Sequence, residues 1–270
     1  MALPFGILAG MMLAFPREAA EAARQGIAVW AQAVVPVLGP FMVCALLITS
    51  RLSGSLPLKI LCGWLSGSPG GARLLAGEGL RGKAALQGAA LSGTMSPMFF
   101  LGTVSLWLND PAAGPLIFFC HLCGAVLTGL IWGPLPKGKK GKAQPLPLGA
   151  ALRESAQALL TVGLCMALGC AAARMVLCAA PKLPSAAAAA LQCALEVTAG
   201  VQALIRLKGA HSLPWVCAAC SFGGLSLLMQ NAAFWEESGV GFMQLLGLRL
   251  CHALAAGGLC LAACALLGRG

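Results

Sequence analysis

The sequence predicts an all-α, polytopic membrane protein built of two inverted-topology repeats with broken or re-entrant helices. Three observations predict it: an apolar composition, a series of uncharged windows, and punctuation that recurs once along the chain. Of 270 residues, 59% are hydrophobic and 10% charged, with a mean hydropathy of +0.86. A soluble domain carries about a quarter charged residues. No Asp, Glu, Lys or Arg occurs between Arg24 and Arg51, Lys83 and Asp110, Asp110 and Lys137, Glu154 and Arg174, Lys208 and Glu236, or Arg249 and Arg269. Each window has the length that crosses about 30 Å of hydrocarbon as a helix.

Taken in order, "MALPFGILAGMMLAFP" reads as a short, retained anchor helix. It lacks a basic start, and "FPREAA" is a poor cleavage site. Spans follow at 26–50, 84–108 and 112–133. Between the first two lies "SGSPGGA", Ser66 to Ala72, and whether 57–80 crosses or returns stays open. The segment "PLPKGKKGKAQPLPLGAALR" concentrates Lys137, Lys139, Lys140, Lys142 and Arg153, which the positive-inside rule assigns to the cytoplasm. Its prolines and glycines, without aromatics, argue against a nucleic-acid site. The organisation is thus a first transmembrane repeat at 1–136, a basic cytoplasmic loop at 137–150 and a second repeat at 151–270.

The repeat rests on recurring landmarks. "REAA" from Arg17 matches "RESA" from Arg153, "SGSPGGA" matches "EVTAGVQAL" (Glu196 to Leu204), and "LSGTMSPMFFLGTV" (Leu91 to Val104) matches "CSFGGLSLLMQNAAF" (Cys220 to Phe234). The pairs Arg17/Arg153, Ser66/Glu196 and Ser92/Ser221 are 136, 130 and 129 residues apart. With a re-entrant Ser66–Ala72 segment, three spans separate the repeat starts, and an odd number inverts the halves. Inverted halves with paired Gly/Pro-interrupted segments point to a secondary transporter with its site near the midplane.

A helix interrupted in hydrocarbon leaves backbone groups that protein, water or ligand must satisfy. Half-helices starting at such breaks present N–H groups and a positive dipole end suited to a carboxylate or phosphate. Pro69 and Pro97 suit a first helical turn. The candidate substrate-binding residues are therefore Ser66, Gly67, Ser68, Gly70 and Gly71 at the first break and Ser92, Thr94 and Ser96 at the second. From the other half come Glu196, Thr198 and Gln202, then Ser221, Gly223, Ser226, Gln230 and Asn231. Glu196 is an intramembrane carboxylate, either an ion or proton ligand or a structural partner of Arg206 or Arg174. Arg73 is either a cation beside the first break or a snorkelling side chain. Helix packing by small residues is the competing explanation of each cluster.

Other chemistry is not indicated. The 13 cysteines include "CHLC" (Cys120, Cys123) and "CAAC" (Cys217, Cys220), but within helices these pairs lie on one face as small apolar side chains. No metal, cofactor or enzymatic activity is expected, and a coupling ion is left unspecified. His121, His211 and His252 are scattered, with His121 mid-span as a proton carrier or a core histidine. Trp107, Trp132, Trp215 and Trp235 lie near window ends, as interface anchors do.

"FPREAAEAARQGIAVWAQAVVPVLGPFM", "LSGSPGGARLL", "SPMFFLGTV", "EVTAGVQAL" and "SFGGLSLLMQ" occur in the order seen in YlbJ-type sporulation integral membrane proteins. The chain resembles that family, which carries the nucleoside-recognition gate domain, from Phe15 to about Leu267. The resemblance implies transport, of dipicolinic acid across the outer forespore membrane of a spore-forming bacterium. The expected partners are then a small dicarboxylate anion, the lipid bilayer and other sporulation membrane proteins or further copies of the chain, with no nucleic acid. An ion-coupled nucleoside permease and a non-transporting spore-envelope assembly protein are the alternatives. The chain departs from the family pattern at Ser68, where an aromatic is usual, at Ser92–Pro97, where asparagines are usual, and in a shorter stretch between Phe41 and Ser66.

Overall fold

The computed structural model describes residues 2–51, 56–133, 145–207 and 212–269. The lysines at 137–142 and His211 lie outside the described residues. All regular structure in the described residues is helical. Helix α1 (Ala2–Ala14) leads into α2 (Pro16–Val29), a π-turn segment at Trp30–Val34, and α3 (Val35–Thr49). The axis turns by 56° between Pro16–Val34 and Leu38–Thr49, where Pro36 and Pro40 remove backbone donors. Helices α4 (Leu56–Ser66) and α5 (Gly70–Ala76) follow, then α6 (Gly82–Ser92). After a non-helical stretch at 93–96, the chain resumes helix at Pro97, passes π-turns at Phe99–Val104 and ends in α7 (Ser105–Leu108). Helix α8 (Ala113–Leu130) completes the first half.

The second half repeats this order. It has a long helix α9 (Leu148–Ala179), a pair α10 (Ser185–Leu195) and α11 (Val197–Arg206), an interrupted pair α12 (Ser212–Phe222) and α13 (Gly224–Trp235), and a closing span α14 (Phe242–Leu266). Both interrupted pairs break at glycine. Gly223 and Gly224 have φ of 80° and 71°, a region glycine enters without the penalty a Cβ imposes.

Contacts fix the relative direction of the halves. Helices α2 and α9 correspond, and they run antiparallel: Gly26 lies against Met166 and Ala167, while further along Trp30 packs on Gly163 and donates from Nε1 to the Leu159 carbonyl at 2.9 Å. Helices α8 and α14 also correspond. Asp110, just before α8, pairs with Arg269, just after α14, at 3.0 Å, and Gly124 meets Ala256 midway. Equivalent helices that run in opposite directions mean inverted halves.

The segment 57–80 returns rather than crosses. Gly63 of α4 lies on Gly71 of α5, and Lys59 pairs with Glu78 at the open end. This hairpin opens on the face where the chain leaves α8 and enters α9, called here the loop face, since Arg73 of α5 pairs with Glu154 of α9 at 2.8 Å. Helices α10 and α11 form the matching hairpin, Gly200 against Cys193, from the opposite face.

Four helices, Ala113–Leu130, Leu148–Ala179, Ser212–Ser238 and Phe242–Leu266, are long and apolar enough to cross a membrane, and the bent α2–α3 pair makes a fifth. Large apolar side chains such as Leu254, Leu164 and Phe119 stand 67–78% exposed on the outer surface, as lipid-facing residues do. The chain is an integral membrane protein. Some expectations need correction. Helix α1, at 13 residues, falls short of the roughly 20 that span hydrocarbon. The basic segment is shorter than 137–150, because α9 already begins at Leu148. Trp235 is no interface anchor: it is fully buried, and its Nε1 donates to the Ser92 hydroxyl at 3.3 Å. The large ring fills space between the halves that small residues on α6 leave open, with Gly88 directly against it.

Candidate functional site

The two hairpin tips and the two helix breaks converge on one cavity. Ser68 comes from the first tip and Glu196, Val197 and Thr198 from the second. Met95 and Ser96 come from the break before Pro97, Met98 and Phe99 from the turn after it, and Ser226, Leu227 and Gln230 from the first turns of α13. The wall is closed by Val29, Ala33, Val34 and Leu38 of the bent helix, by Thr103 and Trp107, and by Val162 and Met166 of α9. The volume open to centres of water-sized spheres is about 110 Å³, where one water needs roughly 10–15 Å³. A mostly apolar wall with a few convergent polar groups is the ordinary make-up of a small-molecule site.

Each tip is held by short local bonds. Ser68 donates its backbone N–H to the Thr94 carbonyl at 2.6 Å and its hydroxyl to Asn231 Oδ1 at 2.9 Å, so the first tip touches the break of its own half and α13 of the other. Asn231 in turn donates to the Leu227 carbonyl at 3.0 Å. A Cβ on Gly67, whose φ is 70°, would stand 2.5 Å from the Ser96 nitrogen, so glycine is required for this approach. Glu196 ends α10, donating to the Gln192 carbonyl at 2.7 Å, and caps α11, its carboxylate accepting from the Ala199 N–H at 2.8 Å. A negative group at a helix N-terminus satisfies an orphan donor and the dipole together. Glu196 is 1% exposed. Neither Arg206 nor Arg174 forms an ion pair with it among the described residues.

Of the residues named from sequence, Ser68, Ser96, Glu196, Thr198, Ser226 and Gln230 line the cavity. Ser66, Gly67, Gly70, Gly71, Ser92, Thr94, Ser221, Gly223 and Asn231 are not part of its lining. The Ser66 hydroxyl bonds its own helix at the Gly63 carbonyl, 3.2 Å away, and Gly70 and Gly71 admit Ser66 and Gly63 across the hairpin. The Thr94 hydroxyl is fully buried without a hydrogen-bond partner among the described residues. Gln202 lies away from the cavity, further along α11, and the Pro69 position is the N-cap of α5 rather than its first turn. Pro97 is the first helical residue after the break, as expected.

Behind the cavity lies a polar cluster whose membership the sequence did not reveal. His121 on α8 accepts from the Met95 N–H at Nε2, 3.0 Å, which makes Nδ1 the donor to the Ser221 hydroxyl at 2.8 Å. His252 on α14 donates from Nε2 to the His121 carbonyl at 2.8 Å, leaving Nδ1 to accept from Arg249 at 3.4 Å. Arg249 also donates to the Phe222 carbonyl at 3.2 Å and to the Gly93 carbonyl. An arginine seven residues into an apolar 25-residue helix was the available sign, yet on sequence Arg249 served only as a window edge. Cys217 Sγ donates to the Ala256 carbonyl at 3.4 Å, and no cluster of three metal-ligating side chains exists among the described residues.

Comparison with protein-family models, with curated proteins and with solved structures gives no match to this chain.

Proposed function

We propose that the chain is a membrane transporter for a small planar polar solute, bound where the two hairpin tips meet the two helix breaks. The observation that carries this reading is the shared cavity. Segments from opposite membrane faces and from both inverted halves, represented by Ser68, Ser96, Glu196 and Ser226, line a single chamber. Rocking or hairpin movement about such a site exposes it to one face at a time. Phe99 and Trp107, with ring centres 6.0 Å apart, offer faces for a flat ring.

Two solute classes follow from different features. A dicarboxylate such as dipicolinate, carried across a forespore membrane, is the solute that the family resemblance implies. The N-terminal turns starting at Pro97 and Gly224 would receive its carboxylates, that at Val197 being already capped by Glu196. A neutral heterocycle of the nucleoside kind is favoured by the wall itself, which contains the Glu196 carboxylate and the Gln230 amide but, among the described residues, no Lys or Arg. Uptake by proteoliposomes of labelled dipicolinate and labelled uridine, for wild type and Glu196→Gln, separates them. A dianion repelled by Glu196 enters as well or better in the variant. A heterocycle that donates to the carboxylate enters roughly tenfold less well, the scale of one charge-assisted hydrogen bond. Saturable uptake of neither solute, in sealed vesicles, removes both substrate readings.

A further inference from the structure

Arg249 is 3% exposed, and no carboxylate pairs with it among the described residues. A buried guanidinium in that position is strongly unfavourable unless something replaces the missing anion. Its acceptors are the Gly93 carbonyl at the C-terminus of α6 and the Phe222 carbonyl at the C-terminus of α12. Each helix C-terminus behaves as about half a negative charge. Two of them together approximate one carboxylate, split between the halves. The five donors of the guanidinium fork can serve both carbonyls at once, which a lysine ammonium does less well. His252 accepts from a further arm, and through His121 the cluster reaches the Met95 N–H and the Ser221 hydroxyl, again one group from each break. A Cβ on Gly93 would collide with the guanidinium, and glycine stands there.

We infer that Arg249 is a positioning residue for transport. It pins the two broken helices to one another and to α14, so that α6–α8 and α12–α14 act as one scaffold. Against that scaffold the hairpins α4–α5 and α10–α11 move. The assignment rests on the transport reading for its purpose, but its physical content is testable without a substrate. Arg249 acts on the cavity through the breaks, since it lies outside the lining.

The test is hydrogen–deuterium exchange of the full-length purified protein in lipid nanodiscs, comparing wild type with Arg249→Met and Arg249→Lys. In Arg249→Met, peptides covering 88–96 and 218–226 should both exchange roughly tenfold faster or more, the scale of lost charge-assisted bonds. Peptides from the middle of α9 should stay at wild-type rates. Arg249→Lys keeps the charge and most of the volume, so it guards against a variant that does not fold, and should exchange at intermediate rates at both breaks. Acceleration at one break only, at neither, or equally across the whole chain overturns the proposal, as does a lysine variant indistinguishable from wild type.

The transport consequence is read with whichever of labelled dipicolinate and uridine the wild type carries. Arg249→Met should raise KM about tenfold while changing kcat, per folded molecule, by less than about twofold, because the breaks shape the binding site. A purely structural role would lower the amount of folded protein at unchanged KM. Paired loosening of the breaks without wild-type uptake would keep the pin and discard the transport reading. Uptake with an unchanged KM in Arg249→Met would do the reverse.

Discussion

Replacing Gly124 by Ala tests the contact that defines the inverted arrangement. A Cβ built on Gly124 would stand 2.7 Å from the Ala256 Cβ, 2.9 Å from its nitrogen and 3.0 Å from its Cα. Carbon atoms in contact prefer about 3.5–4.0 Å, so α8 and α14 must part by nearly 1 Å at their crossing. Overpacking of that kind costs about 1–3 kcal/mol. For a chain of this size it lowers Tm by roughly 2–12 °C, read by circular dichroism of the detergent-solubilised protein. Gly258→Ala is the internal control, because a Cβ there meets nothing within 4 Å. It should leave Tm unchanged or raise it slightly through helix propensity. Adding Ala256→Gly to Gly124→Ala removes the nearest clash but not the backbone ones, so recovery should be partial, with a coupling energy of about 0.5–3 kcal/mol. Should Gly124→Ala melt with wild type, or Gly258→Ala lose as much, the close antiparallel crossing is wrong.

Three further outcomes are expected. Reporter fusions should place residue 140 in the cytoplasm and the C-terminus outside it, since α8 ends and α9 begins on one face while Arg269 meets Asp110 on the other; the same compartment for both would overturn the topology. Ser68→Ala should lower stability by about 0.5–1.5 kcal/mol through the lost bond to Asn231, and Asn231→Ala added to it should cost less than it does alone, as measured by thermal unfolding. Exchanging the charges of Arg73 and Glu154 should restore most of what either single reversal loses. The effect should stay below about 1 kcal/mol and shrink in high salt, because these side chains are 25% and 33% exposed.

Much of the fold was legible because breaks in a membrane helix are written in local chemistry. "SGSPGG" and "SFGG" each weaken a helix locally, and their near-constant offset from matching landmarks points to the repeat from sequence alone. The lining residues Ser68, Ser96, Glu196, Thr198, Ser226 and Gln230 were found for the same reason, since they sit within or just after a break. What stayed hidden depends on partners far along the chain. Arg249 meets Gly93 across 156 positions, so although its place within an apolar stretch marks it as unusual, its partners cannot be read from the sequence. Trp235 lies near a window end but turns inward, because Ser92 and Gly88 of the other half leave it a place. Gln202 follows Thr198 at helical spacing, yet α11 carries it away from the tip, so only the first turn of that helix reaches the cavity.

Arg249 and Glu196 take up different helix ends at the breaks. A broken helix exposes a positive end and a negative end at the same depth. Here the negative ends of α6 and α12 are taken up by Arg249, behind the cavity. The resuming turns after Ser96 and Gly224 remain to line it. Left alone, three N-terminal turns would make the chamber uniformly attractive to anions, but Glu196 caps one of them and offsets part of that field. The chamber therefore sets the starts of two resuming helices beside the Glu196 carboxyl group. Removing Glu196 shifts that balance toward anions, and removing Arg249 returns uncompensated carbonyls to the breaks. On the transport proposal, the two substitutions should act by different physical routes, one at the wall and the other by geometry behind it.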